Sequence, residues 1–300
     1  MAGADPTPLP PALYLVATPI GNLGDITLRA LDILRSVDRI ACEDTRQTQK
    51  LLNHFQIATP TVSCHEHNER QRAAELIDAI RGGARIAVVS DAGTPGISDP
   101  GSLLVSEAIA AGLPVIPVPG VNAGVSALIA SGLPTGEFRF LGFLPERAGA
   151  RRTRLEELAT SAGQSRTPQT LIFYEAPHRL LETLADLEAT WGAQTRIALA
   201  RELTKIHEEF LRGTVAEIRS QLAARDRIRG EIVLLVEAPP PAAPGTQDAP
   251  ADASITTKLA RIQAETGADE KEALKRLARE LGQSKSDVYR ELQRERARRK

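Results

Sequence analysis

Short apolar runs alternate with amphipathic stretches along the first 120 residues. Buried strands are predicted for five such runs, at 13–18, 39–42, 61–64, 86–90 and 114–118. Between these runs, apolar residues recur at intervals of three and four, which predicts helices. Strands that alternate with helices of about 10–15 residues indicate βαβ units and a mainly parallel sheet. The pattern therefore predicts an α/β fold for this part of the chain.

The second half of the chain continues this pattern less regularly. Strands are predicted at 138–143, 170–174, 196–200, 209–211 and 231–237. Asn122 is a suitable N-cap for the first helix of this half, which Gly132 would end. Pro177 suits the first turn of a later helix that runs to Trp191. Because strands follow one another closely between 196 and 211, we expect this second sheet to be mixed.

Composition changes sharply after residue 238. The segment 239–254 is rich in Pro and Ala, which is typical of a semi-rigid linker. Three short helices are predicted beyond it, and LARELGQSKSDVYREL (277–292) resembles a helix-turn-helix. The predicted organisation is a disordered N-terminus (1–11), an N-terminal α/β domain (12–120), a C-terminal α/β domain (121–238), the linker (239–254) and a helical helix-turn-helix-like domain (255–300).

Composition and charge narrow the class of protein. The chain is 42% hydrophobic and 25% charged, which is usual for a soluble globular protein. Two cysteines give no disulfide framework, the first eleven residues lack the features of a signal peptide, and no apolar run approaches the ~18 residues that would span a bilayer. We therefore expect a cytoplasmic protein without a membrane partner.

Charge is distributed unevenly. Residues 256–300 contain 13 Lys or Arg and 8 Asp or Glu, a balance of +5, whereas the rest contains 24 and 30, a balance of −6. A basic tail on an acidic body is consistent with a polyanionic partner, although surface solubility explains the same charges.

Polar residues cluster where the predicted strands end. The richest cluster is SDAGTPGISDPG (90–101), whose glycines allow close approach of a ligand and whose strand end presents a carboxylate. Further polar groups follow other strands, at 43–44, 65–67, 175–178 and 202–205. No GxxxxGK[ST] or GxGxxG motif is present, which disfavours a P-loop NTPase and a nicotinamide enzyme. His65-x-His67 is too weak a signal to predict a metal site.

Seven segments together resemble one known family. They are TPIGNLGDITLRA (18–30), CEDTR (42–46), HEHNE (65–69), SDAGTPGISDPG (90–101), GFLP (142–145), FYEAPHR (173–179) and ARELTK (200–205). The chain resembles, over about 12–238, the RsmI family of bacterial 16S rRNA ribose 2′-O-methyltransferases. This resemblance implies the tetrapyrrole-methylase (class III methyltransferase) fold, in which a cleft between two α/β domains holds S-adenosylmethionine. It also implies a homodimer that acts on a decoding-centre (P-site) cytidine of the small ribosomal subunit.

The resemblance and the strand-end chemistry together define the predicted site. Cofactor contacts are predicted for Pro19, Asp91, Gly93, Thr94, Pro95, Gly96, Ser98, Asn122, Ala123, Tyr174, Leu199, Ala200 and Glu231. Substrate contacts are predicted for Arg46, His67, Asn68 and Arg179. One segment departs from the family: its second cofactor loop commonly reads Pro-Gly-Pro and then Ser or Cys, but this chain has Val121-Asn122 after Pro119-Gly120. The contact made by residue 122 is therefore open.

A ribose 2′-hydroxyl is a poor acid, so its methylation needs a base or a group that stabilises the developing alkoxide. The candidates are Lys205, Glu202, His65 and Asp44, ordered by how well the charge of each side chain suits this role. The sequence does not choose between them. Two other functions remain open. One is a tetrapyrrole-type small-molecule methylase of the same fold, and the other is a non-catalytic nucleic-acid-binding regulator that uses residues 255–300.

Overall fold

The computed structural model describes residues 9–65, 68–99, 101–162, 167–238, 255–266, 269–280 and 285–298. The chain divides into two compact units, Met1–Pro239 and Pro240–Lys300, which are described separately below. Within the first unit, the described strands form two five-stranded sheets.

The first sheet is parallel throughout, as predicted. Its strands are β1 (Ala12–Val16), β2 (Arg39–Cys42), β3 (Thr61–Ser63), β4 (Arg85–Val89) and β5 (Val115–Val118), in the order β3-β2-β4-β1-β5. The connecting helices are α1 (Leu28–Ser36), α2 (Thr45–His54), α3 (Glu69–Arg81) and α4 (Ser102–Ala110). Each strand begins and ends within one residue or two of its predicted bounds.

Helices cover both faces of this sheet because its strands are apolar on both sides. Along β1, Tyr14 points into the core beneath α1 and α2, and its neighbour Leu13 points into the core beneath α3 and α4. Leu34 and Ile40 belong to the first core, and Leu76 to the second. Burial on both faces leaves the strand ends as the place where this sheet presents polar loops.

The second sheet is mixed, which confirms the prediction. Its strands are β6 (Glu137–Phe143), β7 (Gln169–Glu175), β8 (Arg196–Arg201), β9 (Glu209–Thr214) and β10 (Ile232–Glu237), in the order β6-β7-β10-β8-β9. Only the β6–β7 pair is parallel among these described strands. The helices are α5 (Ala123–Ser131), α6 (Ala148–Ala162), α7 (Leu180–Trp191) and α8 (Val215–Ala223).

One face of the second sheet packs against α6, α7 and α8, and the other packs against α5. Ile20, from the loop after β1, is buried in the core on the α5 side, together with Leu203. The first loop of the chain is thereby anchored to the second sheet, so the two sheets meet around the loop that follows β1.

Two local predictions are confirmed at α5 and two need correction elsewhere. The Asn122 carboxamide caps α5, and the helix ends at Gly132, whose φ is 77°. Pro177, however, lies in the turn before α7, because the helix begins only at Leu180 with Arg179 as its N-cap. The predicted N-terminal disorder is wrong for residues 9–11, since the Tyr14 hydroxyl donates a hydrogen bond of 2.7 Å to the Pro10 carbonyl.

The second unit consists, in its described residues, of α9 (Ile255–Thr266), α10 (Glu270–Glu280) and α11 (Lys285–Arg298). Their apolar faces form one small core that includes Leu259, Leu277 and Leu292. Asp269 Oδ1 accepts a hydrogen bond of 2.7 Å from the Glu272 amide, so it caps α10. The predicted linker and residues 281–284 of the predicted helix-turn-helix lie outside the described residues. No described helix has the length and apolar character needed to traverse a bilayer.

Candidate active site

A cavity of about 390 Å³ lies between the two sheets of the first unit. The first sheet contributes the loops after β1, β4 and β5, and the second contributes the ends or beginnings of β6, β7, β8 and β10. Its lining includes Ile20, Ala92, Gly93, Thr94, Ser98, Asp99, Asn122, Ala123, Phe143, Tyr174, Glu175, Ala200, Leu203, Gly230 and Glu231. The volume is within the range usual for small-molecule sites.

Backbone hydrogen bonds hold the glycine-rich loop at the cavity wall. The backbones of Thr18 and Gly93 exchange two hydrogen bonds, of 2.8 and 3.1 Å. The Ser90 hydroxyl donates to the Gly93 carbonyl at 3.2 Å, and the Thr94 hydroxyl donates to the Val121 carbonyl at 3.0 Å. These bonds join the loops after β1, β4 and β5, so the wall is preorganised.

The departure from the family pattern at 121–122 leaves this loop well anchored. Val121 supplies the carbonyl that Thr94 binds. Asn122 lines the cavity, but its side-chain oxygen accepts a hydrogen bond of 3.0 Å from the Val125 amide. That oxygen therefore has a capping role.

Aromatic rings form part of the opposite wall. Tyr174 packs edge-on against Phe140 and Phe143, with ring centroids 5.0 and 5.8 Å apart. Burial raises the pKa of the Tyr174 hydroxyl, and the nearby charge of Asp99 raises it further, against a hydrogen bond from the Gly124 backbone that lowers it. The hydroxyl is therefore un-ionised at neutral pH.

Asp99 is a half-buried carboxylate that lines the cavity. Burial raises its pKa to about 6, and the charges of Glu43 and Asp91 act in the same direction. Sequence reasoning noted Asp99 in the loop but did not select it. A second Asp in the same glycine-rich loop was the available signal. Among the other unpredicted lining residues, Glu175 also follows a predicted strand, whereas Ile20 and Phe143 are apolar and carry no chemical signal.

Lys205 is outside the lining of the cavity, and an acidic pair binds it beside that lining. Its ammonium nitrogen is 2.8 Å from Glu202 Oε1 and 3.2 Å from Glu231 Oε2, and Glu231 lines the cavity. Burial by itself would lower the pKa of Lys205, but the two hydrogen bonds outweigh it and the net pKa is raised. The pKa of Glu202 is lowered by the same bond and by the Glu231 amide. Lys205 is therefore an ammonium at neutral pH.

Close backbone contact keeps this group in place. A Cβ added at Gly21 would lie 2.9 Å from Lys205 Cε, so the lysine stem packs directly on the loop after β1. At Gly230, φ is +95° and an added Cβ would lie 2.6 Å from Glu202 Cδ. Glu202 and Thr204 also have positive φ, of 53° and 65°. Such backbone strain, in a loop that places a charged group, is common at functional sites.

Eight of the thirteen predicted cofactor residues line the cavity and five do not. Pro19 and Asp91 line a smaller cavity of about 230 Å³ nearby, with Thr48 and Lys50. Leu199 points to the other face of its strand, where it is fully buried in the core beneath α6–α8, because successive strand residues face opposite sides. Pro95 and Gly96 belong to the same loop without lining the cavity.

The carboxylate of Asp44, a predicted catalytic residue, is hydrogen-bonded to neighbouring groups. It caps α2 and binds the predicted substrate residue Arg46 through both carboxylate oxygens, at 2.8 and 3.1 Å. The hydrogen bonds from Arg46 lower the pKa of Asp44 to about 2, which makes it a weak base. Arg46 itself remains highly exposed.

Of the other predicted residues, His65 and Asn68 lie in the loop after β3, and Arg179 lies in the core. Asn68 accepts a hydrogen bond of 2.9 Å from the His65 amide, and neither residue lines the main cavity. His67 lies outside the described residues. Arg179 is buried, with its Nε 2.5 Å from Glu175 Oε1 and a further bond of 3.1 Å to the Leu144 carbonyl. The predicted RNA contact of Arg179 is therefore wrong, because its guanidinium is used inside the core.

The potential metal ligands in the described part of the chain are dispersed. Among the residues that the structure describes, no three His, Cys, Asp or Glu side chains are grouped so as to hold a metal ion. His67, half of the His-x-His pair, is outside that set.

Comparison with known proteins adds a family to this geometry. The model of the tetrapyrrole (corrin/porphyrin) methylases matches residues 12–219. Ribosomal RNA small subunit methyltransferase I of Halalkalibacterium halodurans is 49% identical, over 92% of this chain and 93% of the relative. The protein of the same name from Mesorhizobium japonicum is 46% identical, over 95% and 92%.

Solved structures agree with this chain at the level of the fold. Uroporphyrin-III C-methyltransferase of Thermus thermophilus, complexed with S-adenosylhomocysteine, has a TM-score of 0.51 and 18% identity over 75% of this chain and 96% of that chain. Diphthine synthase has a TM-score of 0.54 and 14% identity over 75% and 89%. The fold, the match of the family model and the close relatives together show that this chain is a methyltransferase of the tetrapyrrole methylase family and belongs, within it, to the ribosomal RNA small subunit methyltransferase I family.

Proposed function

We propose that the protein transfers a methyl group from S-adenosylmethionine to a ribose 2′-oxygen of small-subunit rRNA. The observation that carries this proposal is the cavity between the two sheets, whose wall is the glycine-rich loop 90–99. The name of the relatives, which align over more than nine-tenths of this chain, supports the choice of rRNA.

The residues of the cavity fit the proposed methyl donor. When bound, this cofactor supplies a methyl group on a positively charged sulfur. Asp99 places a carboxylate among the lining residues, which suits a ligand that carries a sulfonium and an ammonium. Ile20, Ala200 and Leu203 offer apolar surface to an adenine, and Thr94 lines the same cavity.

Lys205 is proposed to stabilise negative charge that develops on the ribose oxygen. Its raised pKa means that it does not act as a base at neutral pH, since it is already protonated. An ammonium that Glu202 and Glu231 hold beside the cavity is preorganised for this electrostatic role. Glu202 has a lowered pKa and is bound to Lys205, so its part is to position the lysine.

Asp99 is proposed to accept the proton of the 2′-hydroxyl. A carboxylate with a pKa of about 6 is a stronger base than an ordinary Asp and is still largely ionised at neutral pH. Asp44 has a pKa of about 2 and is bound to Arg46, which makes it a poorer candidate. The raised pKa therefore supports Asp99, in the loop after β4, as the proton acceptor.

The finer features of the function rest on the family resemblance. The target is a cytidine of the decoding centre, and the protein acts as a homodimer. Because its substrate is the ribosomal subunit, the protein is located in the cytoplasm. On α5, Val125 and Ile129 are 45% and 76% exposed, which supports contact with a second copy. Light scattering coupled to size exclusion is expected to give twice the 32.3 kDa chain mass, and a monomer would contradict the dimer.

The central experiment is methylation of small ribosomal subunits that lack the modification. The purified protein and isotope-labelled cofactor are expected to yield one labelled 2′-O-methylcytidine in 16S rRNA, located by nuclease digestion and mass spectrometry. Label on a base, or on an added tetrapyrrole and not on rRNA, would contradict the proposal. Lys205→Met, which keeps the stem on Gly21, should lower kcat by about 100-fold while S-adenosylhomocysteine binding changes little.

A further inference from the structure

A separate basic cavity lies beside the candidate active site. It has a volume of about 350 Å³ and is lined by Arg201, Glu202, His207, Arg225, Arg227, Ile228, Arg229 and Gly230. Four of these eight residues are arginines, and one is acidic. None of the four arginines has a role in the proposed methyl transfer.

A network of hydrogen bonds around Glu209 holds two arginines of this basic cavity in place. Glu209 accepts hydrogen bonds from Arg225 at 2.6 and 2.9 Å and from Arg201 at 2.9 Å. The Arg225 bonds lower the pKa of Glu209 to about 2 despite partial burial, and the Arg201 bond adds to this effect. Arg201 also donates to the carbonyls of His207 and Arg229, each at 3.3 Å. Two guanidinium groups thus share one carboxylate, which leaves a rigid centre with one net positive charge.

Further positive charge lies at the rim. Arg227 and Arg229 are exposed and line the same cavity. The acidic lining residue, Glu202, is bound by Lys205 at 2.8 Å, so its charge is offset. The ligand that suits this cavity is therefore an anion, and guanidinium groups bind phosphate oxygens well.

The position of the cavity identifies which phosphate. Gly230 lines both the basic cavity and the main cavity, and close packing against Glu202 makes it a thin partition between them. In RNA the 2′- and 3′-oxygens are on neighbouring carbons of one ribose. A strand whose 2′-oxygen enters the main cavity must therefore place a phosphodiester directly outside it.

We propose that the basic cavity binds a phosphodiester of the substrate RNA next to the target ribose. This inference rests on the proposed function for its ligand. The network around Glu209 holds the shape of the cavity, and Arg227 and Arg229 make the contacts with phosphate oxygens. Backbone contacts of this kind set the position of a strand without reading its sequence.

The test compares two double variants with equal loss of charge. Arg227→Gln with Arg229→Gln removes the rim of the cavity. Arg154→Gln with Arg219→Gln removes two arginines from α6 and α8, where they pair with Glu157 and Glu188. Binding to unmodified small ribosomal subunits is measured at several KCl concentrations, and calorimetry with S-adenosylhomocysteine checks that the cofactor site is intact.

The rim variant is expected to bind subunits about 10-fold more weakly near ~0.1 M salt, with a salt slope smaller by about 1. The control variant should remain close to the wild type, and Arg227→Lys with Arg229→Lys should recover most of the affinity. Equal affinity and slope for the rim and control variants would overturn the inference. Wild-type binding without methylation would instead contradict the proposed function, so the two failures are distinguishable.

Discussion

Replacing Asp99 by Asn tests the electrostatics of the main cavity directly. Burial raises the pKa of Asp99 to about 6, from 3.8 in an exposed Asp. Between about pH 4 and pH 6 the folded protein therefore binds more protons than the unfolded chain, so ionisation of Asp99 destabilises the fold as pH rises. An Asn at this position cannot ionise and avoids that cost.

The size of the effect follows from the pKa. A rise from 3.8 to about 6 corresponds to about 3 kcal/mol of free energy of unfolding, at ~1.4 kcal/mol for each pKa unit. Asp99 is only half-buried, so solvent screening reduces the expected gain of the Asp99→Asn variant to about 1–2 kcal/mol. The gain should be near zero at about pH 4 and complete above about pH 7, because wild-type Asp99 is then fully ionised.

Urea unfolding of both proteins at about pH 4.5 and about pH 7.5 measures this difference. Asp32→Asn is a suitable control, since Asp32 is an exposed residue of α1 whose nearest cation, Arg35, is 3.9 Å away. The control should show no pH-dependent gain. An Asp99→Asn variant that gains equally at both pH values, or that loses stability at the higher one, would refute the reasoning.

The same variant separates stability from catalysis. If Asp99 accepts the proton of the ribose, Asp99→Asn should lose about 100-fold or more in kcat even though it is more stable. In the wild type, kcat should fall below about pH 6, where Asp99 becomes protonated. Full activity in a stabilised variant would remove Asp99 from the proton chemistry and leave the electrostatic argument intact.

Three further substitutions test the architecture around the site. Arg179→Met should lower the free energy of unfolding by about 3–5 kcal/mol, measured by urea, because it leaves the buried Glu175 carboxylate without a counter-charge. Gly230→Ala should cost about 1–2 kcal/mol through strain at positive φ and should reduce methylation by displacing Glu202, whereas Gly83→Ala, also at positive φ but in open space, should affect only stability. Asn122→Ala should cost about 1 kcal/mol through loss of the α5 cap, which thermal unfolding can measure.

Periodicity was sufficient to predict the fold because both sheets obey simple burial rules. The parallel strands of the first sheet are apolar on both faces, and they appear as continuous runs such as Ile86–Val89 within β4. The predicted start of one helix was wrong because the local hydrogen bonding overrides the preference of proline for the first helical turn. Pro177 would suit a helix start, but the turn that brings Glu175 to Arg179 occupies that position and delays α7 to Leu180.

The candidate site was predicted less completely than the fold, for physical reasons. Strand ends indicate which loops meet, and Gly93, Thr94 and Ser98, which were predicted as cofactor contacts, line the cavity. Sequence does not show which way a charged side chain turns. Arg179, in the motif FYEAPHR, was predicted to contact the substrate, yet its side chain turns inward and binds Glu175. Asp99, in contrast, lines the cavity.

The fold alone does not decide the substrate of this methyltransferase. A uroporphyrin-III C-methyltransferase has the same fold at 18% identity, so the shared architecture is compatible with a substrate quite unlike RNA. The choice between RNA and another substrate must therefore come from side chains that the fold does not need for its own stability. Arg227 and Arg229 satisfy that condition, because they lie on the irregular segment before β10 and outside both hydrophobic cores of the second sheet. Their charge favours a polyanionic strand, and the Gly230 partition places that strand beside the groups that would act on its ribose.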